Sequence, residues 1–213
     1  MPTVTMHPDT SPFWDKIAPK YAKQPVKDQA AYEAKLIRVR ALLRPEDKVL
    51  EIGCGTGTTA LHLSPDVAAY VATDIPRGMV SIAEDKRRAA GVSNATFVQA
   101  DAAEILSEVP FDAVLSFSLL HLIEDVPKVL DAAYAQLKPG GYFLSKTVCL
   151  GDASAILRLF VRTLGLVGIA PPVTPLSKAE LQGALVRAGF DLVESHYFGK
   201  GRLNPFIVAQ RPF

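Results

Sequence analysis

The sequence predicts an α/β protein in which a mainly parallel sheet lies between helices. Residues 49–57 form a short apolar stretch that leads directly into a turn with three glycines, and a helical pattern follows it. From residue 49 to residue 148, strand-like and helix-like segments alternate in the order strand, helix, strand, helix, strand, strand, helix, strand. Such an order requires crossover connections between parallel strands, and these connections are almost always right-handed.

The length and composition fit a single globular domain. With 213 residues, 49% of them hydrophobic and 21% charged, the chain can bury a substantial core. The net charge of +1 gives no overall attraction to nucleic acid or to a membrane. Two cysteines, Cys54 and Cys149, make neither a disulfide framework nor a metal cluster. The sequence shows no signal peptide and no apolar run long enough to cross a membrane, so a cytoplasmic location is expected.

The N-terminal residues 1–44 are expected to form a helical lid or cap on the main domain, residues 45–213. Three aromatic residues lie between positions 13 and 21, before any core element, and Pro19 is expected to interrupt the short helix that carries them. Residues 29–43 have helical apolar spacing. The aromatic segment is interpreted either as a staple that packs on the domain or as a lid over a site.

The glycine turn predicts a ligand site. Gly53, Gly55 and Gly57 follow the first strand at two-residue spacing. Glycines are needed where the chain turns sharply and where its backbone approaches a ligand without a Cβ in the way. A strand, a glycine turn and the start of a helix together form half of a nucleotide-binding βαβ unit. An ordinary loop with three incidental glycines is the alternative.

Asp74 is a predicted partner for sugar hydroxyls. It follows the predicted second strand, residues 67–73, and lies 21 residues beyond Gly53. An acid roughly 20 residues after the glycine turn meets the ribose in dinucleotide-type sites. A carboxylate suits this position because it can accept two hydrogen bonds from a vicinal diol. An acid at a strand end is also a common helix N-cap, so the assignment depends on the glycine turn.

The later elements place more polar residues at the same edge of the sheet. The predicted elements are a helix over 76–90, strands over 95–99 and 111–118, a helix over 126–137, a turn at 138–141 and a strand over 142–148. Asp101 follows the third strand, and residues 116–121 end the fourth. Ligands of parallel α/β sheets bind at the carboxyl ends of the strands. Asp74, Asp101 and the glycine turn therefore converge on one predicted site.

These segments together resemble the class I S-adenosylmethionine-dependent methyltransferases of the small-molecule type. Glu51–Gly57 is similar to the first motif of that family, and residues 98–102, 111–121 and 137–141 are similar to its later motifs in the same order. The match is close over residues 45–150 and loose elsewhere. The resemblance implies S-adenosylmethionine as cofactor, S-adenosylhomocysteine as product, and no metal.

The resemblance also implies a three-layer αβα Rossmann-like sandwich. Its sheet would have seven strands, mostly parallel, with an antiparallel hairpin at the C-terminal end. Residues 190–197 and 206–210 have the composition to supply those two strands.

Cofactor contacts follow from the same resemblance. Asp74 would bind the ribose, Asp101 would contact the exocyclic amine of adenine, and Tyr21 would close over the methionine part. The full set of expected cofactor-binding residues is Tyr21, Glu51, Gly53, Cys54, Gly55, Gly57, Asp74, Ile75, Met79, Asp101, Ala102, Ser116 and Phe117.

The expected reaction is an in-line displacement, in which the protein aligns donor and acceptor and excludes water. A hydroxyl or ammonium acceptor must also lose a proton to a base. His121 is the first candidate, because an imidazole accepts protons near neutral pH and because it directly follows the fourth strand. The alternative is that His121 is a packing or capping residue near the pocket. Tyr21 is the second candidate catalytic residue.

A helical insertion is expected at about residues 151–176. Residues 155–167 are very apolar, and Arg158 and Arg162 share one helical face. One hypothesis is that this helix covers the site of a small, apolar or lipid-like acceptor. Peripheral contact with a membrane or lipid through residues 153–168 is the second hypothesis, because a basic amphipathic helix suits an anionic interface. A cap helix packed on the core or on a second subunit of a homodimer is the third.

Two other classes of protein stay open at this point. An NAD-dependent oxidoreductase shares the first βαβ unit, but its G-x-G-x-x-G fingerprint has a third glycine where this chain has Thr58. A protein that binds S-adenosylmethionine and acts as a catalytically silent partner would keep the same motifs. Nucleic acid is not expected as an acceptor, since the Asn-Pro-Pro-Tyr type of signature is absent after the fourth strand.

Overall fold

The computed structural model describes residues 10–106 and 110–213. Within those residues the chain forms seven α-helices and seven strands around one sheet. The helices are α1 (Ser11–Tyr21), α2 (Gln29–Arg40), α3 (Thr58–Leu63), α4 (Arg77–Ala89), α5 (Val126–Gln136), α6 (Ala155–Leu166) and α7 (Lys178–Arg187). The strands are β1 (Lys48–Ile52), β2 (Ala69–Asp74), β3 (Ala95–Gln99), β4 (Phe111–Phe117), β5 (Leu137–Lys146), β6 (Asp191–His196) and β7 (Phe206–Gln210).

The sheet has the strand order β3-β2-β1-β4-β5-β7-β6. Strands β1 to β5 are parallel, and β7 runs antiparallel to both of its neighbours, β5 and β6. In register, Ile52 at the end of β1 faces Thr73 of β2 on one side and Ser116 of β4 on the other. The carboxyl ends of these three strands therefore lie side by side. The predicted seven-stranded, mostly parallel sheet with an antiparallel C-terminal hairpin is confirmed.

Helices cover both faces of this sheet. On one face, Leu130 of α5 and Leu181 of α7 belong to the same buried cluster as Val114 of β4. On the other, Val39 of α2 and Leu63 of α3 pack into a cluster with the opposite side chains of the sheet. The strands are buried on both sides because parallel sheets are sandwiched by their crossover helices. The structure is the predicted three-layer sandwich.

The N-terminal segment forms two helices, and the first nine residues of the predicted lid or cap lie outside the described residues. Helix α1 packs against α4, where the Gly78 N–H donates to Asp15 Oδ1 at 2.6 Å. Pro19 lies inside α1 and does not interrupt it, contrary to the prediction. A proline removes one backbone donor, and at position 19 this costs only the bond to the Asp15 carbonyl, since Ala22 still donates to Ala18.

The connection from α5 to β5 combines a strand pairing with the predicted turn. Leu137 pairs with Phe111, and after a register shift Tyr142 pairs with Ala113. Residues 138–141 therefore bulge out of β5 between its two segments that pair with β4. Gly140 has φ of 77°, a left-handed conformation that glycine adopts without strain.

The insertion after β5 is tied to the loop after β4. The Thr174 N–H donates to the His121 carbonyl at 2.8 Å, and its hydroxyl contacts the Ile123 carbonyl at 2.6 Å. The helix α6 within the insertion has no buried residue. Helix α7 follows and begins with a capping box formed by Ser177 and Glu180. In the described parts of the chain, no helix is long and apolar enough to cross a membrane.

Candidate active site

A cavity of about 650 Å³ opens at the carboxyl edge of the sheet, under the N-terminal helices. Its walls come from the ends of β1, β2, β4 and β5, from α1 and α2, and from the loop between β6 and β7. Eight of the predicted site residues line it: Tyr21, Glu51, Gly53, Cys54, Gly55, Asp74, Met79 and Phe117. The other six, which are Gly57, Ile75, Asp101, Ala102, Ser116 and His121, are not among its lining residues.

The three glycines of the turn have positive φ but differ in their surroundings. A Cβ on Gly53 would lie 2.7 Å from the Leu119 side chain, and one on Gly57 would lie 2.7 Å from the Phe97 ring. These two glycines are required by packing as well as by backbone conformation. A Cβ on Gly55 would have only the Tyr21 ring near it, at 3.8 Å. The backbone at Gly55 is therefore open to the cavity, as expected for a turn that approaches a ligand.

Asp74 holds the turn in place and faces the cavity. Its Oδ2 accepts the Gly55 N–H at 2.6 Å, and its Oδ1 accepts the Ile75 N–H at 2.8 Å. Each oxygen keeps a lone pair for a further donor. Burial raises the pKa of Asp74 to about 6, so the carboxylate is mainly ionised at pH 7. The N-cap of α4 is Pro76, which excludes the alternative that Asp74 caps this helix.

Glu51 and Lys35 are buried near each other behind the glycine turn, where the charge of each influences the pKa of the other. Burial raises the pKa of Glu51 to about 7, although the positive charge of Lys35 and a hydrogen bond from the Tyr70 hydroxyl at 2.9 Å oppose this. Burial lowers the pKa of Lys35 to about 8. The Lys35 ammonium lies 3.9 Å from the centroid of the Phe117 ring and 4.6 Å from that of Tyr32. Such cation–π contacts stabilise an ammonium that has left water.

Lys146, at the end of β5, is a second positive charge in the cavity. It is the register partner of Phe117 on β4, and burial lowers its pKa while the charge of Asp28 acts in the opposite direction. Among the described residues, the ammonium groups of Lys35 and Lys146 have no hydrogen bond and no ion pair within 4 Å. Both are therefore free to meet an anionic or polar group of a ligand.

Neither lysine is among the site residues predicted from the sequence. Lys35 lies three residues after Tyr32 and four before Val39, which places it on the buried face of α2. A lysine at this helical spacing from apolar residues could have indicated a buried cation. Lys146 gives no such signal, because its position depends on the pairing of β5 with β4.

Aromatic side chains of α1 reach the cavity. Tyr21 and Trp14 both line it, with their ring centroids 6.2 Å apart in an edge-to-face arrangement. Burial, followed by the charge of Asp74, raises the pKa of Tyr21. The Tyr21 hydroxyl is therefore protonated at neutral pH and can donate a hydrogen bond. This placement suits the predicted lid, and the closing role of Tyr21 stays a prediction.

His121 lies in a 3₁₀ turn just after β4 and is half-buried. Its Nδ1 is 3.0 Å from the Thr147 hydroxyl, and its backbone N–H donates to the same oxygen at 3.2 Å. Burial lowers the pKa of His121 to about 4. The imidazole is neutral at pH 7 but is a weaker base than an exposed histidine. Its role as general base stays a prediction.

Ser118, at the end of β4, has an unusual backbone. Its φ of 57° is the only positive value among the described residues other than glycine. Its N–H donates to the Lys146 carbonyl at 2.7 Å, and the residue lines the cavity. Strained backbone of this kind concentrates at functional sites, because it persists only where the surroundings enforce it. Because of this left-handed turn, the three consecutive residues Phe117, Ser118 and Leu119 all line the cavity.

Asp101 stabilises its own loop. Its Oδ1 accepts the Ala103 N–H at 2.8 Å, and Ala102 is buried in the core between them. Ser116 is fully buried, and the carbonyl of Ile75 accepts a hydrogen bond from Gln99 at 2.9 Å. The predicted cofactor contacts of these residues stay predictions.

In the part of the chain that the structure describes, no three His, Cys, Asp or Glu residues come together in a group that could hold a metal ion. Burial raises the pKa of Cys54 well above its ordinary value, so its sulfur is a thiol.

The sheet order, the open glycine turn and the strand-end acid define a nucleoside-binding α/β protein of the class I methyltransferase type. Residues 26–195 match the family described as "Methyltransferase domain". The demethylmenaquinone methyltransferase of Clavibacter sepedonicus is 38% identical over 97 residues, which make up 45% of this chain and 38% of that protein. The chain spans half or less of the length of the curated relatives it matches.

Solved structures share the fold over nearly the whole chain. The magnesium protoporphyrin IX methyltransferase ChlM of Synechocystis PCC 6803, with bound S-adenosylhomocysteine, has a TM-score of 0.70 at 18% identity and 95% coverage of both chains. The cyclase SpnF has a TM-score of 0.79 at 17% identity, covering 100% of this chain and 98% of its own. At these identities the likeness shows the fold alone. Together with the family match, it places this chain in the methyltransferase-domain family of class I S-adenosylmethionine-dependent methyltransferases.

Proposed function

We propose that this protein transfers the methyl group of S-adenosylmethionine to a small, largely apolar acceptor. The observation that carries the proposal is that one cavity joins the open glycine turn and Asp74 to a second region walled by Phe117, Phe198 and Leu122. The first region has the groups that a nucleoside and an amino acid need. The second is walled by aromatic and aliphatic side chains with the Lys35 ammonium against Phe117, which favours a largely apolar molecule.

The residues at the first region fit the cofactor. Asp74 would accept hydrogen bonds from the ribose hydroxyls, and the backbone at Gly55 would lie against the ligand with no side chain between them. Tyr21 would cover that position, and the Lys35 ammonium would offset the carboxylate of the methionine part. S-adenosylmethionine, when bound, supplies a methyl group that is already electrophilic because its sulfur is positively charged.

The chain would then orient the acceptor and keep water out. Phe117, Leu119 and Leu122, all from the end of β4 and the turn after it, present apolar surface to the cavity. A hydroxyl acceptor would also have to lose its proton, and His121 is our first candidate for the base.

The relatives support an apolar acceptor. The curated relative in Clavibacter sepedonicus is named demethylmenaquinone methyltransferase, and a Vibrio campbellii relative, 34% identical over 106 residues, is named a ubiquinone/menaquinone biosynthesis C-methyltransferase. We therefore expect a quinone-like or similarly apolar ring compound.

A labelled-donor experiment tests the proposal. The purified protein would be incubated with methyl-labelled S-adenosylmethionine and a cell extract, and the label then partitioned between organic and aqueous phases. We expect protein-dependent label in the organic phase and none with Gly55→Val. Label only in water-soluble molecules would overturn the apolar acceptor.

Absence of transfer would have a different meaning. If S-adenosylhomocysteine bound by calorimetry but no label moved, the protein would be a silent partner or would catalyse another reaction on the same fold. The cyclase SpnF, which shares this fold, makes the second possibility concrete. The family match already removes the NAD-dependent oxidoreductase from consideration.

A further inference from the structure

Helix α6 exposes an unusual amount of apolar surface. None of its residues is buried, and four of its large hydrophobic side chains stand mostly in solvent: Ile156 at 83%, Leu159 at 66%, Phe160 at 58% and Leu166 at 79% exposure. Val167, just after the helix, is also exposed. Contiguous apolar surface of this kind marks a site of interaction with a protein, a ligand or a membrane.

These side chains form one stripe along the helix. At 3.6 residues per turn, the spacing of Ile156, Leu159, Phe160 and Leu166 places them on a common side. Val161, on the opposite side, and Leu164, next to the edge of the stripe, are half-buried. The helix therefore lies on the domain with its apolar face outward, which reverses the usual arrangement of a surface helix. We call this stripe the outer face of α6.

Charge distinguishes between possible occupants of the outer face. Arg162 lies beside the stripe and Arg158 lies farther round the helix on the same side, and residues 153–176 contain no Asp or Glu. A second copy of the chain packed symmetrically on this face would bring the arginines of both copies together without an acid from either segment. An anionic surface would instead be attracted to both arginines.

We propose that the outer face of α6 binds the surface of an anionic phospholipid membrane. The apolar stripe would enter the boundary between headgroups and acyl chains, and Arg162 would lie among the phosphates. This inference stands on α6 and does not depend on methyl transfer. The two proposals agree, because an apolar acceptor dissolves in the same membrane.

Co-sedimentation with vesicles tests the proposal. The full chain would be mixed with vesicles of phosphatidylcholine alone or of phosphatidylcholine with phosphatidylglycerol. We expect binding to the second kind, weakened by added salt. The combined variant Ile156→Ser/Leu159→Ser/Phe160→Ser should lose it. The matched control is Ile37→Ser on α2, because Ile37 is exposed to the same 66% as Leu159 but lies outside α6.

Arg162→Gln tests the charge contribution separately. Arg158 also donates to the Gly151 carbonyl at 3.0 Å, so Arg162 is the cleaner position. We expect about fivefold weaker binding to vesicles with phosphatidylglycerol, the effect of one basic residue near an anionic surface. Thermal unfolding should be unchanged in all these variants, since the altered side chains are exposed.

Three outcomes would overturn the proposal. The first is that the wild-type chain does not sediment with either kind of vesicle. The second is that the triple variant sediments as well as the wild type. The third is a wild-type dimer, seen by light scattering, that the triple variant converts to a monomer, which would assign the face to a second copy. The triple variant should still bind S-adenosylhomocysteine in calorimetry, because the outer face of α6 does not line the cavity. The membrane proposal and the proposed function can therefore fail independently.

Discussion

Replacing Asp74 with asparagine tests the centre of the proposed donor site. The two carboxylate oxygens each accept one backbone N–H, from Gly55 at 2.6 Å and from Ile75 at 2.8 Å. The Asp74→Asn variant keeps one of these oxygens and turns an NH₂ group toward the other donor. One backbone N–H thus loses its acceptor, and the group facing the ribose loses its charge.

The expected loss of affinity can be worked from these contacts. A hydrogen bond to a charged group contributes roughly 1.5–3 kcal/mol. If the ligand loses the equivalent of one such bond, its affinity should fall by about 10- to 100-fold, since 1.4 kcal/mol corresponds to a factor of ten. The variant should still fold, because Ile52 and Thr73 keep the neighbouring strands in register.

Calorimetry with S-adenosylhomocysteine at pH 7.5 is the measurement, because the product binds without being consumed. The matched control is Asp66→Asn, which changes an exposed carboxylate paired with Arg40 outside the cavity lining and should bind like the wild type. An Asp74→Asn variant that binds within twofold of the wild type would refute the assignment of Asp74 to the ribose.

The remaining predictions concern the turn, the base and the two lysines. Gly55→Val should abolish binding of S-adenosylhomocysteine in calorimetry, because its branched side chain would stand between the turn and Tyr21. His121→Ala should lower kcat at least tenfold with product affinity unchanged, and normal turnover would remove His121 as the base. Lys35→Met should weaken product binding about tenfold, because its ammonium is expected to meet the donor carboxylate. Lys146→Met should raise only the KM for the acceptor. The reverse pattern would assign Lys146 to the donor and Lys35 to the acceptor.

The donor half of the site was predictable because its signals are local in sequence. Gly53, Gly55 and Asp74 mark a turn and a strand end, and the parallel order of the strands brings their carboxyl ends together without further information. The fold was predictable for the same reason, since its strands and helices are also marked by local sequence patterns. Pro19 was misjudged because the cost of a proline depends on its place in the helix, which the sequence pattern did not fix.

The lateral contacts of the site were not predictable to the same degree. The contact between His121 and Thr147 depends on how β5 lies beside β4, and a sequence spacing of 26 residues does not reveal it. The apolar pattern of α6 was visible in the sequence, but such a pattern shows only that one face of the helix is more apolar than the other. Whether that face turns toward the domain or away from it is decided by the packing of the segments on either side.

The buried charges of the cavity set the pH range in which the donor should bind best. Asp74 must be ionised to accept from the ribose, and its pKa of about 6 is raised from 3.8, so affinity should fall as the pH drops below 6. Lys35 must be protonated to meet a carboxylate, and its pKa of about 8 is lowered from 10.5, so affinity should also fall as the pH rises above 8.

Affinity for S-adenosylhomocysteine, measured by calorimetry from pH 5 to pH 9, should therefore pass through a maximum between about 6 and 8. Asp74→Asn should remove the acid limb and leave the alkaline one, and Lys35→Met should do the opposite. Glu51, whose pKa of about 7 is held down by the charge of Lys35, titrates in the same range, and in Lys35→Met its pKa should rise further. A wild-type profile that is flat over this range, or variants that change both limbs together, would contradict the idea that these two side chains hold opposite ends of the donor.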